Sequence, residues 1–167
     1  IQLCLMTAQI ANGGHKVYPK IIVDNSNSIS EVDKFTPLVD QSNNIKIVQD
    51  AMFSSTNEIR GTSYKSRIDD PKYQFAGKTG TAQVKRITKQ DRELDLETSE
   101  IPYEERDHAL YIAFGPYKNP RYAVSILIEH GGSGSSVAAP LAKKLFKKII
   151  DRHEIRKNFE TNKYLNI

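Results

Sequence analysis

Tyr73-Gln74-Phe75-Ala76-Gly77-Lys78-Thr79-Gly80-Thr81-Ala82-Gln83-Val84 alternates as a β-strand does, each side chain turning to the opposite face from the last. Gly77 and Gly80 inside it mark places where another backbone or a ligand comes close. Gly77-Lys78-Thr79 shares its letters with a phosphate-binding loop, but the spacing excludes that reading. The glycine such a loop needs five positions earlier is Lys72 here, Tyr73 to Ala76 are strand residues rather than a pliant cradle, and no helical pattern follows. The residue types suit a different task. On a strand edge, the Lys78 ammonium and Thr79 hydroxyl can face an anionic carboxylate together. Gly80 removes a side chain where substrate or a helix comes close, and the Thr81 N–H is free to stabilise an oxyanion.

Downstream, Lys85 to Asp107 holds five basic and eight acidic residues, net −3, which leaves +7 on the rest of the chain. So charged a stretch, with few apolar residues, reads as a long exposed loop. Ala109 to Phe114 and Tyr122 to Ile128 follow as two strong strands, joined by Gly115-Pro116-Tyr117-Lys118-Asn119-Pro120, and should pair antiparallel. His130-Gly131-Gly132-Ser133-Gly134-Ser135-Ser136 then leads into a helix with Pro140 in its first turn. Its apolar positions are Leu141, Leu145 and Ile149 beside Ala142, Phe146 and Ile150, with Lys143, Lys144, Lys147 and Lys148 on the other face. The residues after Ile155 read as a polar tail.

Upstream, Ile1 to Ala11 reads as an amphipathic helix closed by Asn12-Gly13-Gly14. Neither an N-cap nor an initiator Met precedes Ile1, so the chain is expected to begin inside a helix, as the C-terminal portion of something longer. Val17 to Val23 is a short extended segment, and Asp24 to Glu31 a polar surface loop. Ser42-Asn43-Asn44 offers caps to a helix through Ile45, Val48, Ala51 and Met52 that ends near Ser54 to Asn57.

A length of 167 residues suits one domain, and 38% hydrophobic against 26% charged residues excludes collagen-like, coiled-coil and wholly disordered classes. The net charge of +4 is too small and too mixed to demand a polyanionic partner, so nucleic acid is not expected. Cys4, the single cysteine, cannot form an internal disulfide, and His15, His108, His130 and His153 are too scattered for a metal site. No metal or cofactor is expected. No apolar run reaches the roughly 20 residues that cross a bilayer. The glycine-serine loop at Gly131 to Ser136 has the form of an anion-binding turn, yet a tight strand-to-helix connection explains its glycines. The lysine face of the last helix reads as a solvated face rather than a lipid-binding one.

Lys-Thr-Gly on a strand is also one of three signature elements of penicillin-binding proteins and β-lactamases, beside Ser-x-x-Lys and Ser-x-Asn. Taken in order, the chain resembles the C-terminal part of a class B penicillin-binding protein, of the elongation-specific branch. The segments that carry this likeness are Ile1 to Gly14 with Val17 to Pro19, Ala76 to Val84, Asp107-His108-Ala109, Ala113 to Tyr117 and Ile128 to Gly134. The resemblance implies an α/β fold of the α+β type, the penicillin-binding and serine β-lactamase-like transpeptidase fold, with an antiparallel sheet carrying helices on both faces. Residues 1–154 would be the C-terminal portion of that domain and 155–167 the tail. It further implies a bacterial inner-membrane protein with this domain in the periplasm, acting in cell-wall elongation and cell shape. The implied activity is that of a serine-type D,D-transpeptidase, which cross-links peptidoglycan stem peptides through an acyl-enzyme and binds β-lactams. Implied partners are the N-terminal part of the same protein and membrane components of the elongation complex, including a SEDS-type glycosyltransferase.

Residue by residue, the resemblance gives Lys78 the electrostatic role beside the Ser-x-Asn serine. Thr79 and Thr81 would hold the substrate carboxylate, with Gly80 between them, and the Thr81 amide would be one oxyanion donor. No Ser-x-x-Lys occurs in the 167 residues, so the nucleophile is expected upstream and the piece alone is expected to be inactive. Ser42-Asn43-Asn44 and Ser55-Thr56-Asn57 both satisfy Ser-x-Asn, but they lie at the ends of one helix close to Lys78 and read as caps. The alternative to an enzyme is a non-catalytic penicillin-recognising module, a sensor or a scaffold.

Overall fold

The computed structural model of the chain describes residues 1–21, 36–39, 42–86 and 96–165, with side chains given outside Ser42 and 158–165. The loop expected at Asp24 to Glu31 and residues 87–95 of the charged stretch lie outside the described residues. Helix α1 spans Gln2–Ala11 and α2 spans Ser42–Asn57. Strands β1, Ala76–Ala82, β2, His108–Gly115, and β3, Tyr122–Ile128, form a sheet in the order β1-β2-β3, antiparallel throughout. Helix α3 spans Ala139–Leu165 and is preceded by a single π-helical turn, Gly134–Ala138.

Alternation along β2 sorts the core into two layers. Ala109, Tyr111 and Ala113 turn to one face and pack with Phe75, Ala138, Ala139, Ala142, Phe146 and Ile150 of the α3 side. Ile112 and Phe114 turn to the other, against Ile10 and Ala11 of α1 and Met52 and Phe53 of α2. Helices therefore cover both faces of the sheet, as expected. Alanines at 109, 113, 138, 139 and 142 hold this layer thin, which lets the Phe146 ring stack on Phe75 at 4.9 Å. α1 ends as its glycines demand, with Gly13 and Gly14 at φ +88° and +89°. Cys4 packs toward β3, its Sγ donating to the Ala123 carbonyl at 3.4 Å.

Several elements differ from expectation for identifiable reasons. β1 starts at Ala76 rather than Tyr73 because the backbone before it is engaged elsewhere: Tyr73 N donates to Asp70 O, Tyr117 N to Gln74 O and Asn57 Nδ2 to Phe75 O. Val17 to Ile21 forms no strand, and only His15 bridges to Pro37. The polar tail is helical: α3 runs on to Leu165, through residues rich in good helix formers such as Glu, Lys and Arg. Within its expected apolar stripe Ala142, Phe146 and Ile150 are buried, but Leu141 and Leu145 are exposed and line a shallow groove with Ile126 of β3. β3 is an edge of the sheet among the described residues, so nothing beyond it covers them.

The two ends of the charged stretch are fixed to the sheet. Asp107 Oδ1 accepts from Val84 N at 3.3 Å, and Lys85 Nζ pairs with Glu105 at 2.5 Å. A Cβ added to Gly132, at φ +77°, would lie 2.4 Å from Thr98 Cγ2, so the stretch also rests on the β3–α3 connection. In that connection Gly131 N donates to Ile128 O, Gly132 N to Asp107 O and Ser133 N to Gly131 O. These amides are used internally, as a tight strand-to-helix turn requires, and do not converge on an anion.

The stacked pair gives a test of the layering. Phe146→Ala should cost about 3–5 kcal/mol, whereas Leu145→Ala, on the exposed side of the same helix, should cost less than about 1 kcal/mol. Urea unfolding of both variants measures the difference, and equal losses would show that the buried face of α3 is wrongly assigned.

Candidate active site on the free edge of the first strand

Among the described residues β1 is a sheet edge, so half of its backbone groups face away from β2. Which half is fixed by Gly77: its N–H donates to Thr56 Oγ1 of α2 at 3.0 Å and so points outward. Both polar groups of a strand residue point the same way, and the direction alternates, so Thr79 and Thr81 also present their amides at the free edge. Lys78 and Gly80 turn theirs toward Ile112 and Leu110. The edge is thereby divided. Thr56 closes it at Gly77, and among the described residues the amides of Thr79 and Thr81 are left open.

Lys78 is exposed, and its chain folds over this edge, with Nζ donating to Thr79 O at 3.0 Å and lying 3.4 Å from Thr79 Oγ1. The ammonium and hydroxyl expected to meet a carboxylate thus stand side by side. Thr81, exposed and two residues on, carries its hydroxyl on the same face as Thr79. Gly80 is less crowded than expected, since an added Cβ would meet only Leu110 Cβ, at 3.3 Å. The close approach there is made by Gly134 from the α3 side: a Cβ on Gly134 would stand 2.6 Å from Gly80 O and 2.4 Å from Leu110 O.

What positions the edge is a buried hydroxyl cluster that the sequence does not announce. Tyr111, Thr56 and Ser63 are each at most 1% exposed. Tyr111 OH lies 3.0 Å from Thr56 Oγ1 and 2.9 Å from Ser63 Oγ, and Ser63 Oγ donates to Ser55 O at 3.0 Å. The cluster connects the end of α2, the loop before β1 and the middle of β2 to the Gly77 peptide. Burial pushes the Tyr111 phenol up from its ordinary value of 10.0, and the bonds from Ser63 and Thr56 draw it back in part. Its contribution to stability is therefore complete below about pH 10 and is lost as pH rises through the raised value. Ser55-Thr56-Asn57 is thus not a cap alone. Asn57 Nδ2 does reach back to Phe53 O at 3.0 Å, but it also holds Phe75 O at 2.9 Å.

Of the four histidines, two come together: the His130 N–H donates to His108 Nδ1 at 3.0 Å, and the rings cross edge to face at 4.9 Å. Among the described residues no group of three or more His, Cys, Asp or Glu could hold a metal ion.

The chain is similar to known proteins over most of its length. The family model for the penicillin binding protein transpeptidase domain matches residues 1–147. The peptidoglycan D,D-transpeptidase MrdA of Salmonella typhimurium is 38% identical over 105 residues, covering 63% of this chain and 16% of that protein. MrdA of Haemophilus influenzae is 39% identical over 94 residues, covering 56% and 14%. Among solved structures, PBP2 of Helicobacter pylori in complex with MreC superposes with a TM-score of 0.68 at 30% identity, over 88% of this chain and 24% of that one. PBP2 of Pseudomonas aeruginosa in complex with WCK 5153 gives 0.66 at 32% identity, over 88% and 29%. The chain spans about a sixth of the length of these curated relatives.

The cluster makes a sharp demand on Gly77, where an added Cβ would lie 2.3 Å from Tyr111 OH and 2.5 Å from Tyr111 Cζ. Gly77→Ala should lower stability by about 1–3 kcal/mol. Tyr111→Phe should not rescue it, because the ring carbons stay in place. Gly80→Ala should cost less than Gly77→Ala. Thermal unfolding of the variants ranks them, and a neutral Gly77→Ala would refute the close packing of β1 on Tyr111.

Proposed function

The chain belongs to the penicillin-binding-protein transpeptidase family, and from that premise we propose that it is the C-terminal portion of a peptidoglycan D,D-transpeptidase of cell-wall elongation. In this reading residues 1–154 belong to the catalytic domain, 155–167 are the polar C-terminal tail, which α3 carries as far as Leu165, and the nucleophilic serine comes from a part of the protein outside these residues. The observation that carries the proposal is the pairing of the Lys78 ammonium with the Thr79 hydroxyl on a strand edge whose next outward amide is Thr81.

The chemistry follows from the geometry. The serine oxygen attacks the carbonyl between two D-alanines of a stem peptide, the terminal D-alanine leaves as the amine, and the acyl group passes from the serine to an amine on another strand. Lys78, Thr79 and Thr81 hold the carboxylate of the departing D-alanine, and Gly80 keeps the strand narrow between them. The Thr81 N–H, already aimed outward, stabilises the oxyanion with the amide of the serine itself. β-Lactams enter as mimics of the same peptide. The relatives named as transpeptidases support this enzyme over a non-catalytic sensor or scaffold.

No helix among the described residues is long and apolar enough to cross a membrane. The proposal places the inner-membrane anchor elsewhere in the protein, with this domain in the periplasm. The Helicobacter pylori relative is in complex with MreC, which supports partners in an elongation assembly, and a SEDS-type glycosyltransferase is proposed as a further one.

In the full-length protein, Lys78→Ala should fold normally, because the side chain is exposed, while β-lactam acylation falls about a hundredfold, near 3 kcal/mol. Thr79→Val should lose less, since Thr81 still bonds the carboxylate. Stopped-flow acylation with thermal melts checks the ordering; unchanged acylation in Lys78→Ala alongside a sharp drop in stability would make the strand merely structural. Residues 1–167 alone should not be labelled by a fluorescent penicillin, and stoichiometric labelling would overturn the placement of the nucleophile outside them.

A further inference from the structure

The Thr79 hydroxyl is the last of three in a row. Ser55 Oγ, near the end of α2, stands 3.2 Å from Thr62 Oγ1, and Thr62 Oγ1 stands 3.2 Å from Thr79 Oγ1. Lys78 Nζ lies 3.4 Å from the same Thr79 oxygen. Counting protons gives the row a direction. An ammonium can only donate, and a hydroxyl has a single proton to give. If Thr79 gave its proton to Thr62, it would turn lone pairs toward an incoming carboxylate. If Thr62 donates to Thr79 instead, the Thr79 proton is left for the anion, and the Thr62 oxygen is free to accept from Ser55.

We propose that Thr62 is a positioning residue of the carboxylate-binding edge, which donates its hydroxyl proton to Thr79 Oγ1 and so orients the Thr79 proton toward the substrate carboxylate, with Ser55 completing the chain. This rests on the transpeptidase reading above and adds to it a residue that does not touch substrate. Hydroxyls linked in one direction polarise each other, so the terminal donor at Thr79 is strengthened as well as aimed.

Thr62 is exposed, and a free surface hydroxyl would exchange such a bond for water at little cost. Here its backbone is pinned on both sides. Ser63 N and Ser63 Oγ both donate to Ser55 O at 3.0 Å, and Ser63 is tied to the buried Tyr111 hydroxyl. Gly61 N donates to Glu58 O at 2.8 Å, and a Cβ on Gly61 would lie 2.3 Å from Ser55 O, so only glycine brings the loop this close to α2. The loop is thereby clamped with the Thr62 side chain facing Thr79, and much of the ordering entropy is spent on folding rather than on binding.

The test is a double-mutant cycle in the full-length protein, read as the second-order rate of β-lactam acylation, with Lys78→Ala as reference. Thr62→Val should slow acylation about fivefold, the worth of one hydrogen bond. Thr62→Ser, which keeps the donor, should restore it. In a Thr79→Val background Thr62→Val should have no further effect, because the group it aims is gone. A Thr62→Val with unchanged rate, a Thr62→Ser as slow as Thr62→Val, or losses that simply add in the double variant would each overturn the proposal. If Lys78→Ala itself left acylation intact, the assignment of the β1 edge to the substrate carboxylate would fall before any role for Thr62 could be read, and the two failures are thus told apart.

Discussion

A phenol hydroxyl taken wholly out of water must find partners inside the protein, and much of this structure follows from where Tyr111 finds them. Its ring lies in the layer beneath α3, but its oxygen reaches past β1 to Thr56 and Ser63. β1 can cross that oxygen only where a residue has no side chain, at Gly77. The loop can close over it only by lying against α2, as Gly61 allows. Had the cluster been left half satisfied, the burial would cost about 1–3 kcal/mol per orphaned group. Completed, it sets α2, the loop and two strands at fixed distances from one another.

That arrangement determines which part of an exposed strand edge is available. An unpaired edge invites any extended chain to add to it. By occupying the Gly77 peptide, Thr56 leaves only the stretch that begins at Thr79, where the Lys78 cation and the threonine hydroxyls stand. What the edge presents to solvent is set by the neighbour that covers its first part as much as by the residues that remain open.

The architecture was largely legible in the sequence. The near-continuous apolar and aromatic runs of β2 and β3, the glycine pair after α1 and the spacing of Met52 with Val48 and Ala51 in α2 are local signals, and the elements formed where they pointed. Lys78, Thr79 and Thr81 were legible as a candidate site for the same reason: three polar residues around a glycine on a strand are unusual, and their juxtaposition needs only the strand itself. The hydroxyl cluster was not. Its members are separated by up to 55 residues, and each reads alone as an ordinary serine, threonine or tyrosine. The one available signal was Thr56, a polar residue one helical turn after the buried Met52. The exposure of Leu141 and Leu145 was hidden as well, because periodicity tells which side of a helix is apolar but not how far the sheet beneath it extends.

The attachment of Val84 to Asp107 and of Lys85 to Glu105 brings both ends of the charged excursion to one place beside the end of β1. A loop stapled at its base transmits little of its own length to the strands. Closure entropy grows only with the logarithm of loop size, about 0.6 kcal/mol for each doubling, so residues can be gained, lost or recharged there without shifting the register of β1 on β2. The excursion is a place where the sequence can change while the open edge of β1 a few residues away stays the same.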